Sequence, residues 1–181
     1  FFRIFVLCSV SLSTYAQKTL DTIAIYNHAR TAPLWVNSQP EQLAEYLGKP
    51  FTNDASKVLA FAYWISTNIQ WDVIQNQAQS LHARDVLSAK VTSAEGFAIL
   101  MHELCVYSHI PSEIVYGYVR EFDFTRGDTL WHANHTWNVV KIKNNWHVFD
   151  LAYASGYFNF VPKTPISFTQ TIEPSLELSY S

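Results

Sequence analysis

Val91-Thr92-Ser93-Ala94-Glu95-Gly96-Phe97-Ala98-Ile99-Leu100-Met101-His102-Glu103-Leu104-Cys105 decides how this chain folds. It reads as the start of a buried helix with a small residue in its first turn. Phe97, Leu100, Met101, Leu104, Cys105 and Ser108 recur at i, i+3, i+4, i+7, i+8 and i+11, an apolar stripe at helical period. Thr92 or Ser93 is expected to cap it, since a hydroxyl there accepts a free backbone N–H. Ala94 lies just inside the helix, three residues before the stripe begins, and so faces the same way. A side chain at that point feels the positive end of the helix dipole and the unpaired N–H groups. A thiolate would be most stabilised there, and the chain has alanine.

On the N-terminal side, residues 17–37 show no clear period and read as an arm or irregular lead, anchored by Leu20, Ile23 and Ile25. Ser38-Gln39-Pro40-Glu41 opens a short helix, with Ser38 as cap and Leu43, Tyr46 and Leu47 on its apolar side; Gly48 and Pro50 end it. Thr52-Asn53-Asp54 caps a second helix with the stripe Val58, Phe61, Ala62, Ile65 and Ile69. Residues 75–80 are a polar surface loop, and 84–87 can make one helical turn. On the C-terminal side the period changes. Residues 113–120 are β-branched and aromatic and predict a strand. Residues 136–142 and 146–151 predict a hairpin around Lys143-Asn144, and two short strands follow near Phe168 and Leu178. Helices first and antiparallel strands after predict an α+β domain over 17–181, which continues beyond Ser181 if the chain is truncated there.

Composition bounds the function. The 181 residues are 49% hydrophobic with a net charge of −3, so the charge gives no reason to expect nucleic acid, which needs a basic face. Residues 1–10 are a short apolar run with Arg3 near its start, and 11–16 are small and polar, with Thr14 and Ala16 before Gln17. This is the pattern of a secretory signal peptide over 1–16 that begins inside the signal, and it predicts a secreted or periplasmic domain. No internal run reaches the roughly 20 apolar residues of a membrane span. With Cys8 leaving with the signal, Cys105 stands alone on the core stripe and no intramolecular disulfide is expected. Oligomeric state carries no signal.

The hairpin permits a geometric test. With Lys143-Asn144 as the turn, Ile142 faces Asn145 and Trp137 faces Asp150. His135 then lies diagonally from Asp150 on the same face, roughly 7–8 Å away at Cα and within reach of a His–carboxylate bond. Such a carboxylate would fix the imidazole tautomer. With Asn144-Asn145 as the turn the pair fails. On spacing alone a structural pair is the simpler reading. A metal reading fares worse: His132 and His135 point to opposite faces of a strand, and His147 pairs near Val140, away from His135.

Ordered motifs change this balance. Ala94-Glu95-Gly96-Phe97-Ala98, Ile110-Pro111-Ser112, Val115-Tyr116-Gly117-Tyr118, His135-Thr136-Trp137-Asn138-Val139-Val140 and Trp146-His147-Val148-Phe149-Asp150 together resemble the transglutaminase-like superfamily, which shares the papain-like cysteine-protease core. The segment 57–72 and the run after Asp150 resemble the branch of the kyphoscoliosis peptidase. The resemblance covers about residues 41–158. It implies a central helix carrying the nucleophile position against an antiparallel sheet. It also implies that His135 is the general base, that Asp150 orients it, and that Ala94 stands where the nucleophilic Cys is expected. No cofactor or metal is implied.

Three accounts of Ala94 follow. The first is natural loss, giving a catalytically silent domain that binds protein or peptide. The second is an acyl-transfer enzyme, a cysteine peptidase or transglutaminase-type catalyst, whose cysteine was replaced. The third is a substitute nucleophile, for which Ser93 is a cap candidate and Cys105, about three turns or roughly 16 Å along the helix, cannot share the site. A reading from another class is a structural envelope module in which His135 and the tryptophans are only core. The oxyanion of an acyl-transfer step would be held by the residue-94 N–H, with Gln70 or Trp71 proposed as the second donor.

Overall fold

The computed structural model describes residues 22–72, 82–119 and 133–155, together with four two-residue strands beyond them. The apolar stretch 1–16, the loop 75–80, His132 and the segment around Leu178 lie outside the described residues.

Helix α1 covers 22–30, where an irregular lead was expected. Its two buried side chains, Ile25 and Ala29, are four residues apart, too short a stripe to show as a period. Tertiary contacts hold it: the His28 ring stacks on Tyr46 at 4.8 Å, and its Nε2 lies 2.9 Å from the Tyr46 carbonyl. A 3-10 turn, Leu34–Ser38, leads into α2, Pro40–Gly48. Ser38 belongs to that turn. The cap of α2 is Gln39, without a side-chain bond, because Pro40 at the first position already fixes φ and lacks the orphan N–H.

Helix α3, Asp54–Asn68, is capped as expected, Asn53 Oδ1 accepting the Ser56 N–H at 2.8 Å. Strand β1, Gln70–Trp71, follows at once and pairs in parallel with β2, Val91–Thr92. Between them lies α4, Ala83–Ala89, and directly after β2 begins α5, Ala94–Tyr107. Helix α5 is the centre of the domain. It packs on α2, α3 and α4 on one side and on the sheet on the other. Phe97, Leu100, Met101, Leu104 and Cys105 are all buried, matching the predicted stripe. Each large side chain so buried contributes about 1.5–3 kcal/mol, far more than helix propensity supplies.

The sheet has the order β3, β4, β5, all antiparallel: Ser112–Gly117, His135–Ile142 and Asn145–Phe149. In β4, Thr136, Asn138 and Val140 alternate as a buried row, while Trp137 and Val139 on the other face are half-buried. Asn138 Nδ2 donates to the Ala98 carbonyl at 2.9 Å, so a buried polar bond ties the sheet to α5. Strand β5 stops at Phe149, short of the expected Leu151. Asp150 caps a four-residue helix, α6, Leu151–Ala154, and a cap residue cannot also continue a strand. Beyond it, Tyr157–Phe158 pair with Ile172–Glu173 (β6 and β9), and Val161–Pro162 pair with Phe168–Thr169 (β7 and β8). Helices before an antiparallel sheet make this an α+β fold.

Candidate active site

The hairpin turns at Lys143-Asn144. Ile142 faces Asn145 and Asn138 faces Phe149, with Lys143 in the left-handed region at φ 58°. That register places His135 diagonally from Asp150. His135 Nε2 donates to Asp150 Oδ2 at 2.7 Å, and the His135 side chain is only 3% exposed. Because Nε2 is committed to the carboxylate, Nδ1 is the nitrogen left for proton transfer. His147 pairs with Val140, away from His135.

Asp150 does two things that the spacing argument did not separate. Its Oδ2 accepts from His135, and its Oδ1 accepts the Tyr153 N–H at 3.3 Å as the cap of α6. Three rings surround the imidazole: Tyr153 at 4.8 Å, Trp71 at 6.1 Å and Trp137 at 6.1 Å between centroids. Gly117 faces His135 across the sheet, and only glycine fits there, because a Cβ would lie 2.1 Å from the Trp137 ring.

Ala94 is the first residue of α5 and packs, half-buried, against the core. Neither expected hydroxyl caps the helix. Ser93 sits at the cap without a side-chain bond, and Thr92 is fully buried with Oγ1 unpartnered. Thr92 is turned onto Gly96, where a Cβ would lie 1.8 Å from Oγ1; that close approach requires glycine at 96. The first turn of α5 therefore keeps its positive N–H groups free of a Ser93 or Thr92 acceptor.

Strand β1 links this helix end to the His–Asp pair. Trp71 pairs with Thr92, two residues before Ala94, and its ring reaches both His135 and Tyr153. The Gln70 backbone N–H is spent on the Lys90 carbonyl at 2.8 Å, so from that residue only the side-chain amide could act as an oxyanion donor. On the other side, Tyr116 of β3 donates its hydroxyl to Glu95 Oε1 at 2.8 Å, and that carboxylate holds the Tyr116 hydroxyl above its ordinary pKa. Cys105 is not part of this site. Burial pushes its thiol up to about 12, against the lowering effect of a bond to Ser112, so it remains an inert core group. Among the described residues, no three His, Cys, Asp or Glu side chains are grouped to hold a metal ion.

Spacing in the sequence set His135 near Asp150, and the family resemblance pointed to all three of His135, Asp150 and Ala94. It missed Tyr153 and the ring of Trp71 as neighbours of the imidazole, and it missed Asn138. The last had a legible signal: a polar residue in the buried row between Thr136 and Val140.

Comparison with known proteins supports the fold and gives the family. The family model of the Transglutaminase-like superfamily matches residues 41–151. The kyphoscoliosis peptidase of Mus musculus is 28% identical over 132 residues, 71% of this chain and 20% of that protein. Its Homo sapiens counterpart is 28% identical over 152 residues, 82% of this chain and 22% of that protein. The chain thus spans about a fifth of the length of the curated relatives it matches. A crystal structure from Cytophaga hutchinsonii, titled as a cysteine protease, superimposes with a TM-score of 0.50 at 26% identity, covering 65% of this chain and 39% of that one.

Proposed function

The chain belongs to the transglutaminase-like superfamily, and from that membership we propose that it is a catalytically silent member that binds protein or peptide. One observation carries this: the first residue of α5, at its positive end, is Ala94, in a chain whose His135–Asp150 pair is assembled. A methyl group cannot attack a carbonyl. The one thiol among the described residues, Cys105, is buried and held protonated. What stays intact is the frame around the missing atom, namely a base with Nδ1 free of Asp150, a carboxylate that sets its tautomer and helix N–H groups that neither the Ser93 nor the Thr92 side chain engages. Such a frame still suits the carbonyl groups of a peptide. The apolar run 1–10 supports a secreted or periplasmic location, which N-terminal sequencing of the processed protein would check at Gln17.

The completeness of the His135–Asp150 pair favours one second reading, that the same scaffold is an acyl-transfer enzyme of cysteine-peptidase or transglutaminase type, whose cysteine was replaced. Ala94→Cys tests both. In the silent-binder reading the parent chain shows no thiol-dependent hydrolysis or amide crosslinking. In the second reading the introduced thiol labels with iodoacetamide at neutral pH, because a helix N-terminus beside a histidine lowers a thiol's pKa. Hydrolysis gained on Ala94→Cys supports that reading and labelling no faster than that of Cys105 would overturn it, whereas thiol-dependent hydrolysis or crosslinking by the parent chain would overturn the first.

A further inference from the structure

We propose that Tyr153 is a positioning residue of the His135–Asp150 pair, its backbone N–H steering the carboxylate while its ring holds the imidazole. The inference deepens the site reading above and rests on it. Tyr153 touches both members of the pair. Its N–H donates to Asp150 Oδ1 at 3.3 Å, which leaves Oδ2 turned to His135, and its ring centroid lies 4.8 Å from the imidazole at an interplanar angle of 41°. Trp71 braces the same ring edge-on at 5.2 Å, so the tyrosine is fixed from the side of β1 as well.

Burial does not explain this side chain. Leu151 and Ala152 bury the core face of α6, whereas Tyr153 stays 40% exposed. Its ring lies over an imidazole that is itself 5% exposed and on the first residue of a strand. Among the described residues, the groups that face His135 are Asp150 from the β5–α6 junction, Tyr153 from α6, Trp71 from β1 and Trp137 from β4, and Asp150 is the charged one. The Tyr153 ring therefore limits how far the imidazole can turn away from the carboxylate.

The test compares Tyr153→Phe with Tyr153→Leu in the full chain. Leucine covers the imidazole but has no π face; phenylalanine keeps the face and drops the hydroxyl. The His135 ring is followed by 15N-edited NMR at one pH, which reads its tautomer and its mobility. Tyr153→Phe is expected to keep the sharp Nε2–H signal of the parent, and Tyr153→Leu to shift and broaden it. Should the leucine chain fail to fold, Tyr153→Met makes the same comparison. Coincident His135 spectra of parent, phenylalanine and leucine (or methionine) chains would overturn the proposal. The readout needs no turnover, so it fails separately from the site reading. If Ala94→Cys labels quickly while Tyr153→Leu leaves His135 unmoved, the positioning role alone is lost. If His135 shifts but the introduced thiol stays inert, the thiol chemistry alone is lost.

Discussion

Asp150 holds two hydrogen bonds with two oxygens, and both are accepted. Asp150→Ala removes both. Losing the cap of α6 costs about 1 kcal/mol, and leaving the buried His135 Nε2–H without a partner costs a further 1–3 kcal/mol or so. The sum, about 3 kcal/mol, lowers the melting midpoint by roughly 10 °C in a chain of this size. Asp150→Asn is different, because an amide has one oxygen and one NH2. If the oxygen keeps the cap, the amide N–H faces Nε2, which must then accept. The proton moves to Nδ1, the atom needed as base. Asparagine is as good a cap as aspartate, so stability falls by less than about 1 kcal/mol while the tautomer inverts. Thermal melts followed by circular dichroism give the first quantity, and 15N shifts of the His135 ring give the second. Equal destabilisation by Asn and Ala, or an unchanged Nε2–H tautomer in Asp150→Asn, would refute the two-oxygen account. In an Ala94→Cys background the same asparagine should slow alkylation of the introduced thiol at neutral pH, since Nδ1 can no longer take its proton.

Other outcomes follow from the same contacts. Gly96→Ala gains about 1 kcal/mol of helix propensity but drives a Cβ to 1.8 Å from the buried Thr92 Oγ1; a net loss of about 2–3 kcal/mol in urea unfolding is expected, partly recovered by adding Thr92→Ala. Asn138→Ala removes the bond to the Ala98 carbonyl and opens a small cavity at a 1% exposed position, costing about 2 kcal/mol by chemical denaturation, and Asn138→Asp costs more because it sets a buried charge against a carbonyl. Cys105 makes the fold alkali-sensitive. Its pKa is raised from 9.0 to about 12 on folding, so the folded chain holds its proton longer. Its contribution is intact below pH 9 and is lost as pH rises toward 12, by roughly 4 kcal/mol in all. Urea midpoints at pH 8 and pH 10 should therefore diverge more for the parent than for Cys105→Ala.

The sequence by itself determined the elements with a strong period. The stripe from Phe97 to Cys105 required a buried helix, because apolar side chains every three or four residues have one way to leave water together. The alternation of β4 and β5 put His135 within diagonal reach of Asp150, since strand side chains repeat every two residues, but the structure chose the turn at Lys143-Asn144 over Asn144-Asn145. Order of motifs named the nucleophile position at Ala94. Helix α1 was beyond reach because Ile25 and Ala29 alone carry no period, and its stability comes from His28 and Tyr46, distant in sequence. The unused caps Thr92 and Ser93 were equally illegible: a hydroxyl beside a helix start predicts a local bond, and the close approach of Thr92 to Gly96 turned it elsewhere. Only the tertiary structure decided what surrounds the imidazole. Tyr153 follows Asp150 in the chain, but Trp71 arrives from β1, which pairs with β2 only when the whole domain closes. Periodicity and spacing report on single elements. The ring contacts around His135 join three of them, β1, β4 and α6, and no local pattern encodes where separate elements meet.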